Sequence, residues 1–179
     1  MDARWNIQKS DSNLVKRLSE ELGVNEIVSH LLVLRGVTTY NDAKKFFRPQ
    51  ISDLHDPFLL KGMNKAVERI QLALKKGEKI LIYGDYDVDG TTSVAMMYNF
   101  LNRFTKNICY YIPDRYEEGY GISFKAIDYA QQEEFSLIIA LDCGIRAVKQ
   151  VEYASNKDID FIICDHHNPG VNIPRAISV

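Results

Sequence analysis

The chain has 179 residues, 46% of them hydrophobic and 26% charged, with a formal net charge of −2 at pH 7. That length and balance describe a globular chain able to bury a core, without low-complexity tracts or internal repeats. That charge excludes no class of ligand, but any polyanionic one would have to be held by local cations, including bound metals.

From Asp11 to Gly77 the apolar periodicity is helical. Leu14, Leu18 and Leu22 form one stripe closed by Gly23, and Ile27, Leu31 and Leu34 form a second closed by Gly36. Thr39 is placed to cap a helix running through Phe46 and Phe47, which Pro49 stops. After the loop DLHDPFLL, Met63 to Lys76 reads as an amphipathic helix ended by Gly77. Residues 1–77 are therefore expected to form a small helical subdomain.

From Lys79 the pattern changes. Apolar runs of strand length stand at Ile80–Tyr83, Ile108–Ile112, Leu137–Leu141 and Phe161–Cys164, separated by helix-length segments at Thr91–Phe104, Ser123–Gln132 and Ile145–Ser155. Alternating strands and helices imply βαβ units, so residues 78–179 are expected to be an α/β domain: a parallel sheet with flanking helices. Cys109, Cys143 and Cys164 are odd in number and lack CxxC spacing, which predicts reduced thiols, with Cys143 and Cys164 as small buried hydrophobes. No run is long and apolar enough for a membrane span, and MDARWNIQKSDSN lacks a secretory apolar stretch; the expected location is the cytoplasm.

The chemistry is concentrated behind the strands. GDYDVDGTT places Asp85, Asp87 and Asp89 after the first run, Asp142 follows the third, and Asp165, His166 and His167 follow the fourth. Ligands of open parallel sheets bind at the carboxyl ends of strands, so three acidic motifs fall on one edge. Carboxylates gathered there repel one another unless cations neutralise them. DxDxDG also opens a calcium EF-hand loop, but position twelve would be Met96 where a bidentate Glu is needed, and the motif follows a strand. Asp142 alone could cap a helix from Ile145. Asp87-Val88-Asp89-Gly90-Thr91 also matches the DxDGT of aspartate-nucleophile phosphatases, yet Asp142 stands where that chemistry wants a hydroxyl.

YGDYDVDGTT, IPDRYEEGYGIS, IIALDCGI and ICDHH, in this order between Ile80 and His167, resemble the DHH phosphoesterase superfamily and, within it, the RecJ type of single-strand-specific DNA exonuclease. The helical N-terminal part with RGVTT and FFRP is similar to that type as well. The resemblance implies two divalent ions, manganese or magnesium, and 5′→3′ hydrolysis of single-stranded DNA to 5′ mononucleotides in repair or recombination. It implies Asp87 and Asp89 as metal ligands, Asp142 as the bridge, His166 as the imidazole ligand, His167 on the scissile phosphate and Asp165 orienting the loop. Asp85 would be a ligand or a member of the outer shell. Tyr83 stands where other DHH phosphoesterases carry a histidine ligand. An oxygen-rich set with one imidazole suits manganese or magnesium better than zinc. In PDRYEEGYGIS, Arg115 would clamp phosphate, Gly119 and Gly121 would allow close backbone approach, Ser123 would cap the next helix, and Tyr116 and Tyr120 would stack on bases or pack the loop.

RecJ-like chains continue into a further metal-binding Asp, a DHH-associated domain and an oligonucleotide-binding fold, whereas the family pattern is still running at PRAISV. The expectation is an N-terminal fragment, monomeric, weakly active or inactive alone, with single-stranded DNA as its partner and no membrane association. The alternatives are a DHH phosphodiesterase acting on short oligonucleotides or cyclic dinucleotides, and a metal- or DNA-binding fragment without turnover.

Overall fold

The computed structural model describes residue 4 and residues 6–179; the first residues of the expected 1–77 subdomain lie outside the described part. The described residues form two compact units that divide between Asp56 and Pro57.

The first unit holds α1 (Ser12–Leu22), α2 (Glu26–Leu34) and α3 (Tyr40–Phe47). Asp11 caps α1 by accepting from the amides of Asn13 and Leu14, and Gly23 ends it at φ 65°. Thr39 caps α3 through the Asp42 amide. The buried residues of α2 are Ser29 and Leu32, not the stripe of Ile27, Leu31 and Leu34, of which Ile27 and Leu31 are 70% and 48% exposed and Leu34 is half-buried. The stripe's spacing is helical, but α2 is apolar nearly all round, so periodicity alone did not select its buried face.

The second unit opens with α4 (Met63–Lys76) and continues as β1 (Lys79–Gly84), α5 (Val88–Leu101), β2 (Ile108–Tyr111), α6 (Phe124–Gln132), β3 (Phe135–Leu141), α7 (Val148–Ser155) and β4 (Asp160–Cys164). The unit begins at Pro57, earlier than the 77/78 boundary read from periodicity, because α4 packs on the sheet. Ala66 and Ala73 of α4 join Val94 and Leu101 of α5 over Ile80, Ile82, Leu137, Ile139 and Ile162. The opposite sheet face carries Leu81, Tyr83, Ile138, Ala140, Phe161 and Ile163 against α6 and α7. Strands covered on both faces need apolar side chains at odd and even positions, which is why they read as continuous runs. Full burial of each such isoleucine is worth about 1.5–3 kcal/mol.

All pairings are parallel and the order is β2-β1-β3-β4. The chain leaves β1 towards one edge and later returns on its other side, so a crevice opens between the carboxyl ends of β1 and β3. Asp85 directly follows β1 and Asp142 directly follows β3. Two helices depart from their expected starts. α5 begins three residues early because Asp87 caps it, accepting from the Gly90 amide at 2.9 Å. α7 begins at Val148 rather than Ile145, because Gly144, at φ 108°, turns the chain away from helical geometry first.

Candidate metal centre

Asp142 sits at the crevice with a left-handed backbone, φ 59°, a conformation that Asp tolerates better than most residues. Its amide donates to the Cys164 carbonyl at 2.8 Å, locking the end of β3 to the end of β4. The side chain is nearly buried, and Oδ1 lies 3.0 Å from His166 Nε2. Among the described residues, Asp142, His166 and His167 are the group that offers three ligand atoms within 4.8 Å of one another.

Asp165 holds this corner together. Its Oδ2 accepts from the Ile145 amide at 2.9 Å, while Oδ1 receives the His167 amide at 3.1 Å and lies 2.7 Å from His167 Nδ1. Burial would raise the Asp165 carboxyl, but the Ile145 and His167 amides and the His167 ring bring it below the usual carboxylate range. The same contact raises the His167 imidazole above its ordinary value, with the charges of Asp142 and Asp87 adding to it. With Nδ1 engaged by Asp165, Nε2 is the ring nitrogen left for another partner.

The remaining carboxylates lie around this group without entering it. Asp87 and Asp89 are exposed on the first turn of α5, where Asp87 keeps one oxygen on the Gly90 amide. Asp85 is wholly buried; burial pushes its carboxyl upward, the Gly121 and Tyr86 amides pull it back, and the charges of Asp87 and Asp142 raise it again. A protein surface that converges this much negative charge on two imidazoles fits a hard divalent cation with mixed oxygen and nitrogen ligands. Cys143 does not soften the set: it is buried, and burial together with Asp85, Asp165 and Asp142 keeps its thiol protonated. Cys164, expected to be buried, is exposed at the end of β4.

Gly84 and Gly90 make the approach of α5 to β1 possible. A Cβ on Gly90 would meet the Asp85 carbonyl at 2.4 Å and its amide nitrogen at 2.6 Å, and one on Gly84 would meet Val94 Cγ2 at 2.4 Å. The Gly90 neighbours are backbone and cannot rotate aside. Gly90→Ala is therefore expected to lose about 3 kcal/mol, the upper end of the overpacking range, and to lower the urea midpoint accordingly.

The segment from Pro113 to Ser123 borders the crevice and is braced internally. Asp114 accepts from the amides of Tyr116 and Glu117. Glu118, a residue that the sequence did not single out, accepts from the Tyr111 hydroxyl at 3.0 Å, the Asp114 amide at 2.9 Å and the Ser123 hydroxyl at 2.5 Å. Burial and this bond push the Tyr111 phenol up to about 12. Ser123 is the N-cap of α6. Gly119 and Gly121 take φ 77° and 87°, which a side chain would strain. Tyr116 is 94% exposed and makes no part of the bracing by its ring. A row of rings runs across the crevice mouth. The Arg115 guanidinium carbon lies 5.5 Å from the centre of Tyr86, which meets Tyr120 edge-on at 6.0 Å, and Tyr120 meets His167 at 6.4 Å. Tyr86 was missed in the sequence because a tyrosine between two acids carries no pattern. Beside His167, Tyr120, Ile122, Gly144 and Arg146 line a cavity of about 300 Å³.

Residues 79–179 match the model of the DHH family, N-terminal domain. The chain is 44% identical over 176 residues to the single-stranded-DNA-specific exonuclease RecJ of Bacillus subtilis (strain 168), covering 97% of this chain and 22% of that protein. It is 38% identical over 121 residues to the protein of the same description from Escherichia coli (strain K12), covering 67% of this chain and 21% of that one. A crystal structure of exonuclease RecJ bound to manganese superposes with a TM-score of 0.63 at 32% identity, over 67% of this chain and 31% of that chain. The RecJ of Thermus thermophilus, solved in complex with Mn2+, shares the fold with a TM-score of 0.69 at 22% identity, over 96% of this chain and 24% of that chain. The chain thus spans 22% and 21% of the lengths of the two curated relatives, from Bacillus subtilis and Escherichia coli.

Proposed function

Since this chain belongs to the DHH family, of which residues 79–179 form the N-terminal domain, we propose that it carries the metal-binding half of a 5′→3′ exonuclease that hydrolyses single-stranded DNA to 5′ mononucleotides. The observation that carries this reading is the convergence of Asp142, His166 and His167 ligand atoms within 4.8 Å at the sheet's crevice. The similarity to proteins described as single-stranded-DNA-specific exonucleases supports the substrate class.

In this reading Asp142 and His166 hold the cation, and Asp87 and Asp89 complete a two-ion site from the α5 side. Manganese is the favoured ion and magnesium the substitute. Divalent ions there supply a water of lowered pKa and neutralise charge on the reacting phosphate. The protein's part is placement. Asp165 fixes the His167 ring so that Nε2 faces the scissile phosphate, and Tyr120 offers a ring face or edge to a base beside it. Arg115, exposed and resting over Tyr86, binds a phosphate of the strand. The role in repair or recombination and the cytoplasmic location go with this reading.

The test is digestion of a 5′-phosphorylated single strand with manganese, by this chain and by a longer chain of the same family containing it. Stepwise release of 5′ mononucleotides, abolished by chelator, is expected. Cleavage confined to dinucleotides would move the assignment to a small-substrate DHH phosphodiesterase, and metal binding without cleavage in either chain would leave a binding module. Arg115→Ala is expected to weaken single-strand binding about tenfold while leaving the thermal midpoint unchanged, since one charge-assisted contact is lost from an exposed side chain. Fluorescence anisotropy and a thermal melt read the two effects separately.

A further inference from the structure

Asp85 has the wrong surroundings for a side chain waiting for a cation. It has no solvent exposure, and both carboxylate oxygens are engaged by backbone amides: Oδ1 by Tyr86 at 2.8 Å and Oδ2 by Gly121 at 2.7 Å. Gly121 is thirty-six residues away in sequence and lies in the segment that carries Arg115 and Tyr120. The Tyr83 hydroxyl, two residues before Asp85, donates to the Gly121 carbonyl at 2.6 Å and accepts from the Ser123 amide at 3.3 Å. The end of β1 therefore takes both the amide and the carbonyl of Gly121.

We infer that Asp85 is a positioning residue, whose buried carboxylate, together with the Tyr83 hydroxyl, fastens the Pro113–Ser123 segment to the end of β1 and registers Arg115 and Tyr120 against the metal centre. This rests on the reading of that segment as the substrate loop. Two features make Asp85 the junction. Its backbone lies directly beneath the first turn of α5, where the glycine at position 90 leaves no room for a Cβ, so it also supports the turn that bears Asp87 and Asp89. Its side chain reaches in the other direction, to the loop. Metal ligands and substrate contacts are thus hung on one residue. The requirement is for two acceptors: an asparagine of the same shape would turn its NH2 towards one of the two amides and leave that buried donor unpaired.

The test compares Asp85→Asn and Tyr83→Phe with Asp87→Asn in the full 179-residue chain. Hydrogen exchange reads the loop without DNA, calorimetry with manganese alone reads the metal, and anisotropy with a labelled single strand reads the substrate. Asp85→Asn is expected to speed exchange of the Gly121 and Ser123 amides about tenfold, to keep manganese affinity within about twofold, and to weaken strand binding about tenfold. Asp87→Asn is expected to do the reverse on the first two measurements. A double variant with Arg115→Ala should lose less strand binding than the sum of the two single losses, because Asp85 acts through the loop that presents the guanidinium. Loss of manganese binding in Asp85→Asn, matching Asp87→Asn, would make Asp85 a ligand and overturn the inference, as would unchanged loop exchange. Should Asp85→Asn not fold, Tyr83→Phe decides by the same loop exchange, since it removes only the hydroxyl. If the parent binds no single strand at all, the proposed function fails, while the anchoring of the loop is still decided by exchange.

Discussion

Replacing Asp142 by asparagine is expected to lower manganese affinity at least about 100-fold, more than is lost when a supporting residue around a metal is removed. Asparagine is the informative substitution because the residue is held at φ 59°. Asn enters the left-handed region at least as readily as Asp, whereas alanine would add about 1–2 kcal/mol of backbone strain and confuse the outcome. The metal-free protein should not suffer. The carboxylate and that of Asp85 repel each other, and its contact with the largely exposed His166 contributes little. The thermal midpoint without metal is therefore expected to stay level or rise. In the parent, manganese at about 100 times its dissociation constant adds about 2.7 kcal/mol of stability; in Asp142→Asn the same concentration adds about 0.4 kcal/mol at most. Melts with and without manganese measure both effects. A manganese-dependent rise that survives the substitution would reduce the Asp142–His166 contact to an ordinary ion pair and remove the centre from this crevice.

The reading of the sequence and the structure agree where local pattern and topology say the same thing. Ile80–Tyr83 and Leu137–Leu141 were legible as strands because burial on both faces leaves no polar alternation, and their carboxyl ends then placed Asp85 and Asp142 on one edge. What the pattern could not reach were contacts made by chain segments far apart. Nothing in GDYD distinguishes Asp85, with both oxygens on amides, from Asp87, which keeps one oxygen free of them; the difference is set by a glycine in the β2–α6 connection. Glu118 reads as one more loop acid until Tyr111, Asp114 and Ser123 are seen to converge on it. The left-handed turn at Asp142 was hidden for a related reason. Its sequence context suits a helix cap, whereas its backbone is bent to reach the Cys164 carbonyl of the neighbouring strand. Propensity describes each residue in its own stretch, and these roles are defined across strands.

The second large effect lies at the opposite end of the sheet. Arg69 of α4 donates through Nε to Asp160 at 2.6 Å and through Nη2 to Glu78 at 2.7 Å, and Nη2 also reaches the Ser136 carbonyl at 3.5 Å. One guanidinium thereby ties the helix to the starts of β1, β3 and β4, and lysine, a point charge, could not span the two acids. Its side chain is 11% exposed and that of Glu78 is 19% exposed. Removing the cation leaves a shielded carboxylate without its partner, so Arg69→Met is expected to lose about 3 kcal/mol at neutral pH. Asp160 is more exposed and adds less. The pH dependence identifies the cause. Burial would raise the Glu78 carboxyl, but the Ser136 and Arg69 hydrogen bonds and the Arg69 charge hold it below its usual value. A depressed carboxylate stabilises the fold above its unfolded pKa, about 4.3, and that contribution is lost as pH falls through the lower folded value. The gap between parent and Arg69→Met in urea unfolding should therefore be largest near about pH 6–7 and narrow towards about pH 3. A gap of constant size would assign the loss to packing of the arginine stem instead. Because these contacts sit at the amino ends of the strands, away from Asp142 and His166, manganese affinity of the folded variant should match the parent, separating a failure of the scaffold from a failure of the site.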